Sequence, residues 1–140
     1  MTKNILISIV GIIGSAIASA FGGWTTGLTT LVIFMAIDYV TGLIVAGVFH
    51  KSTKTDSGTL ESRAGFKGLC RKGVMLLVVL VAYRLDLAVG TTYIKDVVVI
   101  AFIANETISI VENAGLMGVQ IPDTIKNAID ILQKNGSGSK

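Results

Sequence analysis

Charge is scarce in this sequence: Asp, Glu, Lys and Arg make up 15% of its 140 residues, against about 25% in an ordinary soluble domain. That shortage points away from water as the surrounding solvent. Cysteine and histidine are scarcer still, with only Cys70 and His50. One cysteine forms no internal disulfide, and no Cys/His cluster stands at zinc or iron spacing, so neither a metal nor a cofactor is expected. A Cys70/His50 nucleophilic pair would need an ordered pocket and an orienting third group, and the polar loop that holds both offers neither. Gly65-Phe66-Lys67-Gly68 lacks the preceding strand and the spacing of a phosphate loop. Glu106 and Glu112 have no nucleophile, histidine or metal set at plausible spacing. These absences argue against an enzyme.

Apolar residues fill the space that charge leaves, at 51% of the chain and a mean hydropathy of +0.73. Sixteen glycines and a single proline suit closely packed membrane helices better than a loop-rich soluble fold. Four hydrophobic stretches run over residues 5–21, 28–48, 73–90 and 97–114. A spanning helix needs about 20 mostly apolar residues, with about 17 near the lower limit. The second stretch is the clearest, since Asp38 is its only charge, and the fourth, with Asn105, Glu106, Glu112 and Asn113, is the least clear. The expected fold is therefore all-α: an integral membrane bundle of about four transmembrane helices, occupying residues 1–118. The number falls to three if the first stretch is cleaved at its Ala16-Ile17-Ala18 site, as a signal peptide would be, or if the fourth does not span.

The connections set an orientation. Gly22-Gly23-Trp24-Thr25-Thr26-Gly27 is a tight uncharged turn, and Trp24 suits an interfacial anchor. The loop over 50–72 carries Lys51, Lys54, Arg63, Lys67, Arg71 and Lys72 against Asp56 and Glu61. The positive-inside rule places that loop in the cytoplasm, with both chain ends also inside. Its basic character reports orientation and attraction to anionic lipid, and no nucleic-acid partner is expected. Between the third and fourth stretches, residues 91–96 would face outward, Lys95 and Asp96 cancelling each other. After Gly118, Ile125, Ala128, Ile129 and Leu132 recur at i, i+3, i+4 and i+7, opposite Lys126, Asp130 and Lys134. That spacing predicts a short amphipathic helix over 119–134, lying on the membrane surface or against the bundle. A flexible Gly/Ser-rich tail is expected over 135–140.

Packing and polarity mark candidate functional residues. Gly11, Gly14, Ser15 and Ala18 in the first stretch, with Gly42 and Ala46 in the second, form small-residue ridges. In lipid, helices associate by close approach at such residues, within a chain or between chains. Asp38 lies ten residues from the cytoplasmic end of its stretch, Arg84 eleven beyond Gly73 and Glu106 nine beyond Val97. Each then sits roughly 14 to 17 Å deep, near the middle of a core of about 30 Å. A lone charge there costs at least about 2.5–3.5 kcal/mol. Arg84 is thus expected to pair with Asp38 or Glu106, or else to snorkel outward beside Asp86. Asn105, Glu106, Ser109, Glu112 and Asn113 share one helical face, which must look at protein or water and not at lipid. It reads as the lining of an aqueous lumen or as a buried hydrogen-bonded seam.

Several of these segments together resemble a known family. Asp38-Tyr39-Val40-Thr41-Gly42, then Gly65-Phe66-Lys67-Gly68-Leu69-Cys70-Arg71-Lys72, then Asn105-Glu106-Thr107-Ile108-Ser109-Ile110-Val111-Glu112-Asn113 and Gly115-Leu116-Met117-Gly118-Val119-Gln120-Ile121-Pro122 are similar in order and spacing to the toxin-secretion/phage-lysis holins. The likeness covers about residues 31–132. It implies a protein that collects in the bacterial cytoplasmic membrane, forms a homo-oligomer and abruptly opens the membrane. An endolysin then reaches the cell wall, or a toxin is released; the endolysin is a functional partner that need not touch the chain. Asp38, Arg84, Glu106 and Glu112 would set assembly or the lumen. The competing functions are a small ion or solute channel or transporter subunit and a passive membrane scaffold. No inverted repeat or broken-helix pair favours a transporter.

Overall fold

The computed structural model describes residues 1–137. Among these all regular structure is helical, in five helices: α1 (Thr2–Ala20), α2 (Thr26–Gly47), α3 (Ser62–Val89), α4 (Ile94–Leu116) and α5 (Asp123–Gly136). Two of them, α1 and α2, are long and apolar enough to cross a membrane by length and composition. The first two and the fourth stretch begin two or three residues earlier than hydropathy marked them. The third begins eleven residues earlier, at Ser62 instead of Gly73, so the loop expected over 50–72 is much shorter. The C-terminal helix runs on to Gly136. Of the tail expected over 135–140, residues 135 and 136 are helical and 138–140 lie outside the described residues.

Local chemistry explains most of the boundaries. Thr25 caps α2, its hydroxyl accepting from Leu28 N at 3.2 Å, which satisfies one of the free amides of the first turn. Gly90 ends α3 in the left-handed region at φ 81°, and its amide donates to the Asp86 carbonyl at 2.9 Å, the usual glycine stop. The polar start of α3 is helical because its periodicity runs on unbroken. Ala64, Gly65, Gly68, Lys72, Met75 and Val79 follow one inward ridge, while Arg63, Lys67 and Arg71 are exposed. Gly65 and Gly68 let that ridge approach α2: a Cβ at Gly65 would stand 3.5 Å from the Tyr39 hydroxyl.

The helices alternate in direction, and α4 is the centre of the bundle. It packs against α2, α5 and α3, and it presents no exposed large hydrophobic side chain. Leu28, Leu31, Met35, Val79, Val99 and Ile103 form the buried core, with Leu132 of α5 packed against it. The outer surfaces are the reverse of a soluble protein's. Val32, Ile33, Ile37, Val40 and Ile44 of α2 and Val74, Leu77, Val78, Val81 and Leu85 of α3 are exposed. No residue of α1 is buried. Nothing approaches within 4 Å of a Cβ at Gly11 or Gly14, so the small-residue ridges of α1 are unpacked within the chain. Those of α2 are packed: Ala46 is buried, and a Cβ at Gly42 would meet Asn113 at 3.9 Å.

Candidate functional site

The bundle places four charged groups inside, those of Asp38, Asp86, Lys95 and Glu106. Asp38 lies about 18 Å along α2 from Thr26, and Glu106 about 18 Å along α4 from Ile94. The two helices run parallel, with Gly27 beside Val99 near their starts and Gly42 beside Asn113 toward their ends, so the two carboxylates share one level. Lys72 Nζ donates to Asp38 Oδ2 at 2.7 Å and to Glu106 Oε2 at 2.6 Å. Asp38 and Glu106 retain 4% and 3% of their surface. Asn113 completes the cluster, its Nδ2 donating to Asp38 Oδ1 at 3.1 Å and to Thr41 Oγ1 at 2.9 Å. Thr41 in turn donates to the Ile37 carbonyl at 2.8 Å. Three helices are thereby tied by one ammonium group, and no buried side-chain polar atom among the described residues lacks a partner.

Arg84 is not the partner that the depth argument expected. It is exposed and forms no ion pair among the described residues, and Lys72 takes the role. The cause is the helix start. Counting depth from Gly73 put Arg84 at the level of the carboxylates, whereas α3 already rises from Ser62 and carries Lys72 to that level. Arg84 then lies only about 8 Å from the far end of α3.

A second polar cluster sits at the far end, between the two short turns. Asp86 faces inward: Oδ1 accepts from Thr91 Oγ1 at 2.6 Å and from Ile94 N at 2.9 Å, and Oδ2 accepts from Lys95 N at 2.9 Å. The carboxylate of α3 therefore caps α4, satisfying the amides that open the next helix. Lys95 does not cancel Asp96, as expected for an outward loop. It is buried, lies over the Tyr83 ring at 5.5 Å, and donates to the Phe21 carbonyl at the end of α1. A cation at a helix C-terminus meets its negative pole. Gly22, at φ 79°, leaves room for Tyr83, whose ring would collide with any Cβ there.

The polar face of α4 divides. Glu106 and Asn113 are buried against α2 and α3, Ser109 is half-buried, and Asn105 and Glu112 are exposed. A cavity of about 270 Å³ lies beside this face, with Glu61, Arg71 and Glu112 at its edge and Asp38, Lys72 and Glu106 deeper in its wall. Among the described residues no group of three or more His, Cys, Asp or Glu side chains is placed to hold a metal ion. Sequence reasoning passed over Lys72, Asp86 and Lys95. The helical period running back from Met75 to Ala64 was the available signal for Lys72; nothing in the sequence marks Asp86 as a cap for another helix.

Comparison with known proteins gives this arrangement a family. Residues 15–134 match the model of the bacteriophage holin family. A protein named probable holin, from Bacillus phage phi105, is 31% identical over 109 residues, covering 77% of this chain and 75% of its own length. An uncharacterized protein of Halalkalibacterium halodurans is 37% identical over 132 residues, covering 90% of this chain and 92% of its own. An uncharacterized 14.9 kDa protein of Clostridium perfringens is 39% identical over 122 residues, with 86% of both chains covered. No solved structure matches the chain. A chain matched over most of its length by that model, with apolar outer helices, belongs to the bacteriophage holin family, a membrane family and not one of enzymes.

Proposed function

We propose that this chain is a phage-type holin, which oligomerises in the bacterial cytoplasmic membrane and opens a lesion that releases an endolysin, or a toxin, and so triggers lysis. The observation that carries this reading is the inverted polarity of a holin-family chain: α1, α2 and α3 turn apolar faces outward while Asp38, Lys72 and Glu106 meet inside. Lipid is the solvent that such an exterior fits, and an ion cluster at mid-depth is tolerable there only when its members are paired. In this reading α1 to α4 all cross. The amino terminus and the basic segment before and within the start of α3 lie in the cytoplasm, in keeping with the positive-inside rule. Trp24, half exposed and donating to Thr29 Oγ1 at 2.8 Å, anchors the outer turn.

Asp38, Glu106 and Asn113 then set the protomer's internal architecture, and Arg84, Asn105, Ser109 and Glu112 are left for contacts between copies or with water. The unpacked ridges of α1, Gly11/Ser15 and Gly14/Ala18, are the surfaces on which copies meet. Induced expression beside an endolysin lacking an export signal tests the function. A holin halts respiration suddenly and the culture clears. Ion flux without clearing would indicate a channel, and no change in either a scaffold; both results contradict the proposal.

A further inference from the structure

The outward face of α5 differs from that of every other helix. Ile129 is buried and Leu132 packs on the core cluster of Leu28, Leu31 and Val99. Asp123, Asn127, Asp130 and Lys134 point the other way and are exposed. The helix does not lie at one end of the bundle. It runs antiparallel along α4 until Gly136 reaches Ala101, where an added Cβ would stand 2.8 Å from the Ala101 Cα. That contact is about 11 Å from the start of α4, and α5 covers about 20 Å of its length. Where α4 crosses the bilayer, α5 therefore carries exposed charged side chains through most of its thickness, with Ile125 and Ile131 the large apolar side chains exposed beside them. Lipid cannot receive that face: an Asp or Lys at mid-depth costs about 2.5–3.5 kcal/mol each. Water or protein must cover it.

We infer that α5, docked on α4, is the wall of the aqueous opening in the assembled holin, its polar face toward the lumen and α2 and α3 toward lipid. This rests on the holin reading and identifies the lining element within it. Four observations agree. The lipid-compatible faces belong to α2 and α3, α4 packs against α2, α3 and α5 with Asp96, Asn105, Glu112 and Gly115 as its exposed residues, and Glu106 and Asn113 are engaged within the protomer. The fourth is the composition of the face itself, which balances Asp123 and Asp130 against Lys126 and Lys134. A lining without net charge has no strong preference for cations or anions, as suits a lesion more than a filter.

The test uses the full chain with Cys70→Ser, reconstituted in planar bilayers. Asn127→Cys then places a single thiol on the outward face of α5, where a charged, water-soluble thiol reagent reaches it only from water. That thiol is expected to react in the open assembly and to change its conductance. Lys126→Glu with Lys134→Glu in the Cys70→Ser chain shifts the reversal potential in a salt gradient toward cations, while Lys51→Glu with Lys54→Glu leaves it unshifted. A conductance unmoved by the reagent, or a reversal potential unmoved by the α5 changes, overturns the proposal and leaves the holin reading standing. Failure of the Cys70→Ser chain to open any bilayer would count against the holin reading itself.

Discussion

Lys72 holds two carboxylates from two different helices, and the chemistry of that contact sets what single substitutions do. Removing one partner of a buried ion pair leaves the remainder uncompensated, which costs about 3–5 kcal/mol. Lys72→Met should therefore lower unfolding stability in detergent by about that amount, because Asp38 and Glu106 are left facing each other. Adding Glu106→Gln to Lys72→Met should recover a substantial part, a non-additivity that a double-mutant cycle reads directly. Arg84→Gln, at an exposed side chain without an ion pair, should change stability by no more than about 0.5 kcal/mol. Equal losses from Lys72→Met and Arg84→Gln would contradict the assignment. At the far end, Asp86→Ala removes the acceptor of the Ile94 and Lys95 amides. Hydrogen exchange in the first turn of α4 should rise while the last turn stays protected.

At the scale of elements, legibility differed sharply between segments. The stretches for α1 and α2 declare themselves because their apolar runs coincide with the helices. The start of α3 does not: hydropathy stops at Lys72, whereas a helix needs only an unbroken ridge such as Ala64, Gly68, Lys72 and Met75, and charge on the other faces does not end it. That one boundary moved the ion pair from Arg84 to Lys72. The amphipathic period of α5 was plain in Ile125, Ile129 and Leu132, but periodicity names a face and not its partner, so the return along α4 to Ala101 was invisible. The turn cluster of Asp86, Lys95 and Phe21 is likewise a product of tertiary approach. Two predictions belong here. Gly22→Ala should destabilise the junction of α1 and α2, through the left-handed φ and the collision with Tyr83, and its thermal midpoint in detergent should fall. Gly14→Leu should leave that midpoint unchanged, since nothing in the protomer lies within 4 Å, while chemical cross-linking yields shorter oligomer ladders. A lowered midpoint for Gly14→Leu would place α1 against its own bundle.

The whole molecule is built with its solvents exchanged: hydrocarbon outside, and a small ionic knot with a cavity of about 270 Å³ inside. Burial alone does not make such a chain a lesion-former, and the step from a stable bundle to an opening requires several copies. The protomer has what that step needs in separate places. The bundle of α2, α3 and α4 is closed by Lys72, α1 has no buried residue, and α5 carries its exposed charged side chains along α4. The most direct measurement of the central claim is release from vesicles of bacterial lipid that trap both a small dye and a folded enzyme. On addition of the purified chain, the account predicts that both escape together once a threshold density is passed. Retention of the enzyme while the dye leaks, or retention of both at every density, would contradict it.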